Sequence, residues 1–294
     1  MQSKHNICVT GSTSGIGYSI VENLAKRAGN GYNIFITSRK LQNAQAVIQK
    51  LTEAVPDTGS TFTALELDLS NKGQIDAFVA SLVEKNIKFD ILVNNAGINK
   101  FEEANQSKDA FDLQWNVNYV HTRYFIEQVL EKDLIQRSGK LINVSSELGK
   151  FLQFKDLNPQ IYDELQKADS YSYQQIAELE KIFLEDQESE EKRLKWPDWV
   201  YSSSKMFLNL YTITLSKDPI VADRNIQVYA MCPGWCKTRL TARDGNMPPR
   251  TSDEGAQTVL HLIDLPFEVN QELQGGFFER EKKTSYDSEP TQYF

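Results

Sequence analysis

The chain has 294 residues, of which 40% are hydrophobic and 24% are charged, as is usual for a globular protein with a large core. Its 32 basic and 40 acidic residues leave a formal net charge of −8, which argues against a nucleic-acid partner because phosphate binding needs clustered positive charge. The sequence contains no apolar run long enough to predict a membrane span.

The chain begins with a strand-like apolar stretch, without the separate apolar region and small-residue cleavage site of a signal peptide. Its last residues, Thr291 to Phe294, match no peroxisomal or lipidation signal. The three cysteines form an odd set, and Cys8 lies in a predicted buried strand, whereas a secreted chain would more often carry paired cysteines. These features favour a cytoplasmic protein.

Short apolar runs of strand length alternate with amphipathic stretches of helical length. The runs are Asn6–Thr10, Tyr32–Thr37, Thr61–Leu67, Phe89–Val93, Lys140–Ser145 and Asn225–Met231, and the helix-like stretches include Leu41–Val55 and Gly73–Lys85. Such runs suit strands that are buried on both faces of a parallel sheet. Their alternation with helices predicts a doubly wound α/β fold, and the absence of repeats and linkers predicts a single domain over residues 1–294.

One stretch, residues 151–199, breaks this alternation because it is long, charged and helix-prone. Within it Ala177–Leu184 is amphipathic, while Glu185–Lys195 is almost wholly polar. A solvated helical insertion is the main expectation, with a partner-binding helix or a lid over a substrate as the alternatives. The polar tail after Arg280 is expected to be loosely ordered.

A glycine motif, T-G-S-T-S-G-I-G over residues 10–17, follows the first predicted strand and opens a helix. Its glycines, Gly11, Gly15 and Gly17, permit positive φ and let the backbone approach a pyrophosphate closely. The N-terminus of the helix offers unpaired N–H groups and the positive end of its dipole to the same phosphates. The position of the motif favours a dinucleotide site over simple turn chemistry.

The end of the second predicted strand indicates which dinucleotide is bound. An acidic residue at this point binds the adenosine ribose hydroxyls, whereas an Arg accommodates a 2′-phosphate. This chain has Ser38, Arg39 and Lys40 there and no carboxylate, so NADP(H) is favoured, with Arg39 as the bidentate phosphate partner. The alternative is a solvent-exposed basic loop.

Tyr201 and Lys205 place a phenol and an ammonium four residues apart on one helical face. A nearby cation favours phenolate, which makes a Tyr usable as an acid–base group near neutral pH. The pair has little weight alone, because a chain with 12 Tyr and many Lys contains about one such spacing by chance.

Several motifs taken together resemble the short-chain dehydrogenase/reductase family, from Ile7 to about Phe278. They occur in the family's order: the glycine motif at 10–17, Asn94-Asn95-Ala96-Gly97 after the fourth strand, Asn116 about one helix later, Ser146 after the fifth strand, the Tyr201–Lys205 pair, and Pro233-Gly234 after the sixth strand. The resemblance implies a Rossmann-type fold with a single NADP-binding domain and the helical insertion within it.

The resemblance also implies roles for individual residues. The catalytic set is Asn116, Ser146, Tyr201 and Lys205. The cofactor-binding set is Gly11, Ser14, Gly15, Ile16, Gly17, Arg39, Asp68, Leu69, Asn95, Ala96, Gly97, Tyr201, Lys205, Pro233, Gly234 and Thr238. The substrate set is Ser146, Tyr201 and Trp235, although Trp235 could equally pack in the core.

Within these sets the resemblance implies a division of work. Tyr201 donates a proton to the substrate oxygen, and Ser146 hydrogen-bonds the same oxygen as an oxyanion hole does. Lys205 binds the nicotinamide ribose and lowers the pKa of the phenol. Asn116 holds a water that passes protons to Lys205, while Asp68 contacts adenine, unless it is only a helix cap.

The long gap between Ser146 and Tyr201, with Trp196-Pro197 at its end, is similar to that of the monomeric carbonyl reductase branch. That branch implies reduction of a ketone, aldehyde or quinone with NADPH. Two positions depart from it: Ser14 replaces a basic residue that contacts phosphate in many relatives, and Tyr119 stands where a Gly is usual. An insertion before Tyr201 would cover the surface through which relatives dimerise, so a monomer is expected.

Two other functions keep the same fold. One is NAD(P)-linked oxidation of a secondary alcohol or steroid at the same site, and the other is a non-catalytic regulator that senses NADP(H). A metal site is not expected, because Cys232 and Cys236 have no histidine nearby in sequence and zinc needs three or four ligands. The expected partner is a small carbonyl compound, with no nucleic acid and no membrane.

Overall fold

The structure, a computed structural model, describes residues 4–27, 31–56, 59–100, 107–197, 200–241 and 247–289. One eight-stranded sheet runs through it in the order β3-β2-β1-β4-β5-β6-β7-β8. Its first seven strands pair in parallel and β8 pairs antiparallel with β7. The doubly wound α/β fold expected from the alternation of strands and helices is therefore confirmed.

The strands are Asn6–Val9 (β1), Asn33–Ser38 (β2), Thr61–Glu66 (β3), Phe89–Asn94 (β4), Ile135–Val144 (β5), Gln227–Cys232 (β6), Phe277–Glu279 (β7) and Lys282–Thr284 (β8). The helices are Gly15–Lys26 (α1), Leu41–Ala54 (α2), Lys72–Glu84 (α3), Lys108–Trp115 (α4), His121–Glu131 (α5), Phe154–Leu157 (α6), Pro159–Leu165 (α7), Tyr173–Gln187 (α8), Glu190–Arg193 (α9), Val200–Leu215 (α10), Pro219–Asp223 (α11) and Ser252–Asp264 (α12). Each of the six predicted strands has a counterpart among them.

The apolar strands bury both faces of the sheet under helices. One face is covered by α1, α2 and α12, through side chains such as Leu24, Leu51 and Val259. The other face is covered by α3, α5 and α10, through side chains such as Phe78 and Phe125. This two-sided burial explains why the central strands β1, β4 and β6 are largely apolar, whereas the edge strand β3 alternates between polar and apolar residues.

One buried lysine ties the sheet to a helix end. Lys140, at 0% exposure in β5, directs its Nζ to the carbonyl oxygens of Leu262 at 3.1 Å and Ile263 at 2.8 Å, and also to that of Leu265. These carbonyls lie at the C-terminus of α12, where the last turn has no intrahelical donors. The lysine therefore caps α12 and complements the negative end of its dipole.

The insertion is less solvated than its composition suggests. A capping box between Ser172 and Gln175 starts α8, and this helix buries Phe183 among the aromatic rings of other helices. The Phe183 ring lies 4.8 Å from that of Trp115 and 4.9 Å from that of Trp196. Helix α9 is exposed, as expected for the polar half, and Trp199 lies outside the described residues.

The expectation of a loosely ordered tail is wrong for residues 282–289. Strand β8 pairs with β7, and beyond it the Tyr286 ring packs 5.1 Å from that of Phe277. The Tyr286 hydroxyl donates to the carbonyl of Gly275 at 2.8 Å. Three-residue strands carry too few positions to show a period in sequence, which is why β7 and β8 were missed.

The described ranges contain no helix that combines the length and the apolar character needed to cross a bilayer.

Candidate active site

A cleft opens at the carboxyl ends of the parallel strands, where the strand order reverses between β1 and β4. Its volume is about 590 Å³, within the usual range for sites that bind small molecules. In doubly wound sheets this edge is where ligands bind, because the loops that follow the strands meet there. Of the predicted residues, the cleft is lined by Gly11, Ser14, Gly15, Ile16, Arg39, Asp68, Leu69, Asn95, Ala96, Gly97, Ser146, Tyr201, Lys205, Pro233, Gly234, Trp235 and Thr238.

The glycine loop forms one wall of the cleft. Gly11 and Gly15 have φ values of 63° and 55°, a conformation that side-chain-bearing residues rarely adopt. Ser14 precedes α1 with an extended backbone and makes no side-chain cap. The first N–H groups of α1 therefore face the cleft without a capping side chain, as an anion site requires.

Gly17 does not line the cleft, contrary to its place in the predicted cofactor set. A Cβ atom there would lie 2.5 Å from Nδ2 of Asn95 and 2.7 Å from the carbonyl oxygen of Gly11. Gly17 therefore lets α1 pack closely on the loops that follow β1 and β4, and its contribution to a ligand site is indirect.

The loop after β4 is tied to the glycine loop by Thr10. The backbone N–H groups of Asn95 and Ala96 both donate to Oγ1 of Thr10 at 2.9 Å. The Asn95 side chain returns a bond from Nδ2 to the carbonyl oxygen of Thr10 at 2.8 Å. Asn95 thus connects the glycine loop to the loop after β4, and Gly97 in the same loop also lines the cleft.

The far end of the cleft lies at the carboxyl ends of β2 and β3. Ser38 is buried, and Arg39 is exposed and lines the cleft. Asp68 accepts a bond from the N–H of Ser70 at 2.8 Å, which makes a tight turn. Asp68 is not a helix cap, because Asn71 has that position on α3.

Ser146, Tyr201 and Lys205 converge at the other end of the cleft. Ser146 follows β5, and Tyr201 and Lys205 lie on the cleft face of α10. The Tyr201 phenol is hydrogen-bonded to Ser146, and Nζ of Lys205 lies 5.7 Å from the centre of the Tyr201 ring. Lys205 also donates to the carbonyl oxygen of Val144 at 2.8 Å, which anchors it to the end of β5.

Burial dominates the acid–base properties of this pair. It raises the pKa of Tyr201 well above the usual range of a phenol; the Cys232 thiol adds to the rise and the bond with Ser146 opposes it. Burial lowers the pKa of Lys205 to about 8. The lowering of the Tyr201 pKa expected from a nearby ammonium is therefore absent here, and at neutral pH Tyr201 is a protonated phenol.

Asn116 does not reach this cluster, and Asn118 does. The residues between α4 and α5, Asn116 to Val120, form a π-helical turn, which rotates the side chains relative to a regular α-helix. Asn118 is buried, accepts from the N–H of Ile98 at 2.8 Å and donates to its carbonyl at 2.8 Å. A Cβ atom on Gly97 would lie 3.2 Å from Oδ1 of Asn118 and 3.8 Å from Nζ of Lys205.

The loop after β6 closes the cleft opposite Ser146. Thr238 lies against the glycine loop, since a Cβ on Gly15 would be 3.2 Å from its methyl group. Trp235 lines the cleft and is only partly buried, which separates it from the core. Cys236 donates from Sγ to the carbonyl of Pro233 at 3.2 Å. Among the described residues no three His, Cys, Asp or Glu side chains are grouped as metal ligands would be.

Several residues that line the cleft are not in the predicted site sets. Glu147 follows Ser146 directly, Ile98 and Lys100 extend the loop after β4, and Arg239 follows Thr238. Each lies within three positions of a residue that was identified, so the motifs found the right loops but not their full extent.

The fold and this cleft define a dinucleotide-binding α/β protein. Residues 5–155 match the family model of the short chain dehydrogenases, and the chain belongs to that family. It is 30% identical to carbonyl reductase (NADPH) 3 of Rattus norvegicus over 266 residues, which cover 88% of this chain and 90% of that protein. It is 27% identical to (+)-neomenthol dehydrogenase of Capsicum annuum over 318 residues, which cover 95% and 96%.

Among solved structures, salutaridine reductase from Papaver somniferum has a similar fold, with a TM-score of 0.72 at 23% identity over 94% of this chain and 100% of that one. The NADPH-bound carbonyl reductase from chicken fatty liver has a TM-score of 0.65 at 23% identity over 97% and 95%. These similarities confirm the Rossmann-type fold that was predicted from the sequence.

Proposed function

We propose that the chain reduces a carbonyl compound, a ketone, aldehyde or quinone, to the alcohol with NADPH, with Tyr201 as the proton donor. One observation carries the proposal: Ser146, Tyr201 and Lys205 meet at one end of a cleft that has the glycine loop along its wall and Arg39 at its other end. The similarity to carbonyl reductase (NADPH) 3 supports the same function.

The cleft fits NADP(H). The glycine loop and the uncapped start of α1 suit the pyrophosphate, and Arg39 with Ser38 suits the 2′-phosphate. Asp68 and Leu69 flank the adenine position. Ala96, Gly97, Pro233, Gly234 and Thr238 line the part next to Ser146 and Tyr201, where the nicotinamide would lie. When bound, the reduced nicotinamide supplies the hydride.

Tyr201 is the proton donor of the proposed reduction. It is a protonated phenol at neutral pH, the form that can give a proton to the substrate oxygen as hydride arrives. Ser146 donates a hydrogen bond to the same oxygen and stabilises the charge that develops on it, and Lys205 binds the nicotinamide ribose. Trp235 contributes an apolar wall opposite the nicotinamide.

Asn118 takes the role that the sequence assigned to Asn116. We expect Asn118→Ala to lower kcat about 10- to 100-fold, because misplacing a reacting group by about 1 Å costs that much and Asn118 holds the loop beside Lys205. Asn116→Ala is the matched control, since its side chain is off the cleft, and should leave kcat unchanged. Steady-state kinetics of the two variants test this. If Asn116→Ala lowers kcat more than Asn118→Ala does, Asn116 has the catalytic role instead.

The insertion supports the expectation of a monomer. Helix α8 packs Phe183 against Trp115 and Phe207, so it covers the face formed by α4 and α10. Oε2 of Glu180 on α8 also lies 3.8 Å from a guanidinium nitrogen of Arg123 on α5. We expect light scattering at micromolar concentration to give the mass of one chain, 33.6 kDa. A stable dimer would mean that another surface associates.

The proposal as a whole is tested by NADPH binding and by NADPH consumption, followed by absorbance, against a panel of quinones, aromatic aldehydes and ketones. Binding with turnover of at least one class is the expected result, with NADH binding more weakly. Binding without turnover across the panel would favour the regulator that senses NADP(H). Absence of NADPH binding would contradict both functions.

A further inference from the structure

The turn that follows Ser146 rests directly on the catalytic helix. Residues 147–149 form a short 3-10 turn, closed by a bond from the N–H of Gly149 to the carbonyl of Ser146 at 3.0 Å. A Cβ atom on Gly149 would lie 2.6 Å from the carbonyl carbon of Lys205, so only glycine allows this approach. Asn209 of α10 also donates to the carbonyl of Gly149 at 3.0 Å. Helix α10 thus supports the turn from one side.

The other side of the turn is held by a buried charge. Lys150 is 1% exposed, and its Nζ lies 2.7 Å from Oε2 of Glu279 at the end of β7. The same Nζ donates to Oγ of Ser288 at 2.9 Å and to the carbonyl of Glu289 at 3.3 Å. A buried ammonium needs such partners, and these three oxygens satisfy its donors.

The segment that supplies two of these partners, Ser285–Glu289, is itself docked. The N–H of Phe151 donates to the carbonyl of Tyr286 at 2.8 Å, and the two rings stack with centres 5.5 Å apart. The Tyr162 hydroxyl donates to Asp287 at 3.0 Å. The C-terminal segment therefore contacts the start of the insertion at several points, all next to the turn that leads from Ser146.

These contacts form a rigid path to the Ser146 hydroxyl. Lys150 is joined to the turn by a bond from its N–H to the carbonyl of Glu147 at 3.0 Å, and within the turn the N–H of Leu148 donates to Oγ of Ser146 at 3.2 Å. We propose that Lys150 is a positioning residue, and that through it the segment Ser285–Glu289 sets the place of the Ser146 hydroxyl in the active site. This inference rests on the proposed role of Ser146 in carbonyl reduction.

The test compares two buried lysines. Lys150→Met removes the positioning contact, while Lys140→Met removes a lysine of equal burial that caps α12 away from the cleft. Lys150→Met is expected to lower kcat about 10- to 100-fold with an unchanged NADPH dissociation constant, since small misplacements cost that much. Lys140→Met is expected to lower the melting temperature and leave kcat unchanged. Glu279→Gln, which keeps the size of its side chain, serves as a second variant if Lys150→Met does not fold.

A double-mutant cycle with Ser146→Ala separates positioning from general stability. If Lys150 acts through Ser146, the double variant Ser146→Ala/Lys150→Met should have the same kcat as Ser146→Ala alone. Multiplied losses, or a Lys150→Met enzyme with wild-type kcat, would overturn the proposal.

Hydrogen exchange of the Leu148 amide tests the same contact without turnover. Faster exchange in Lys150→Met and not in Lys140→Met is expected, and equal exchange in both would contradict positioning. If Ser146→Ala leaves kcat unchanged, the proposed function fails, while the exchange result still decides the role of Lys150.

Discussion

Replacing Tyr201 with Phe is expected to lower kcat for carbonyl reduction by about 10²- to 10⁴-fold, the usual contribution of a positioned general acid, while NADPH affinity stays unchanged. The substitution removes only the hydroxyl group, which is the proposed proton donor and the partner of Ser146. The ring remains in place beside Lys205. Stopped-flow or steady-state absorbance of NADPH, together with a separate binding titration, measures both quantities.

Tyr211→Phe is the matched control for this experiment. Tyr211 lies on the same helix, is 0% exposed, and its hydroxyl has no hydrogen-bond partner among the described residues. Its loss should therefore leave kcat unchanged. A Tyr201→Phe enzyme that retains turnover would remove Tyr201 from the chemistry, and equal losses in both variants would indicate damage to α10.

The second large effect concerns cofactor preference. Arg39→Ala is expected to raise the NADPH dissociation constant about 10- to 100-fold, since hydrogen bonds to a charged group contribute about 1.5–3 kcal/mol. NADH lacks the 2′-phosphate, so its affinity should not change. Isothermal titration with each cofactor gives the comparison. Because Ser14 provides no positive charge on the glycine loop, we expect the preference for NADPH to depend mainly on this one guanidinium.

Lys40→Ala is the control for Arg39. The two residues are adjacent and both are exposed, but Lys40 does not line the cleft. Its removal changes the charge of the loop and leaves the proposed phosphate contact intact. If both variants weaken NADPH binding equally, long-range attraction by positive charge explains the preference. If Arg39→Ala weakens NADH binding as much as NADPH binding, Arg39 contacts a part that both cofactors share.

Much of the site was predictable because its residues follow strands. In a parallel sheet the carboxyl ends of the strands meet at one edge, so motifs found after β1, β4, β5 and β6 had to converge. Ser146 and the glycine loop could therefore be placed together from sequence order alone. Lys205 joined them because a spacing of four residues keeps it on the same helical face as Tyr201.

The choice between Asn116 and Asn118 could not be made in the same way. Both lie in one short helical stretch, and a π turn shifts the register there without a sequence signal. In the structure, the paired bonds to Ile98 and the closeness to Gly97 distinguish Asn118. Gly17 shows the same limit, since a glycine required by close packing and one required by a ligand look alike in sequence.

The C-terminal contacts were invisible for a different reason. Lys150 and Glu279 are 129 positions apart, and neither side chain belongs to a recognisable pattern. Tyr286 lies in a stretch whose polar composition indicates a loose tail, although its ring is packed between Phe151 and Phe277. Long-range polar pairing of this kind depends on the finished fold, which local propensity does not report.

The distance in sequence between Lys150 and Glu279 also sets an order for biosynthesis. On the ribosome, the strands that build the cleft emerge first, and β1 to β6 can assemble while the rest of the chain is still being made. The counter-charge for Lys150 arrives only with β7, and Ser288 follows later still. A nascent chain that stops short of these residues therefore holds a lysine that cannot be buried without cost, and the turn after Ser146 lacks this support until synthesis is almost complete.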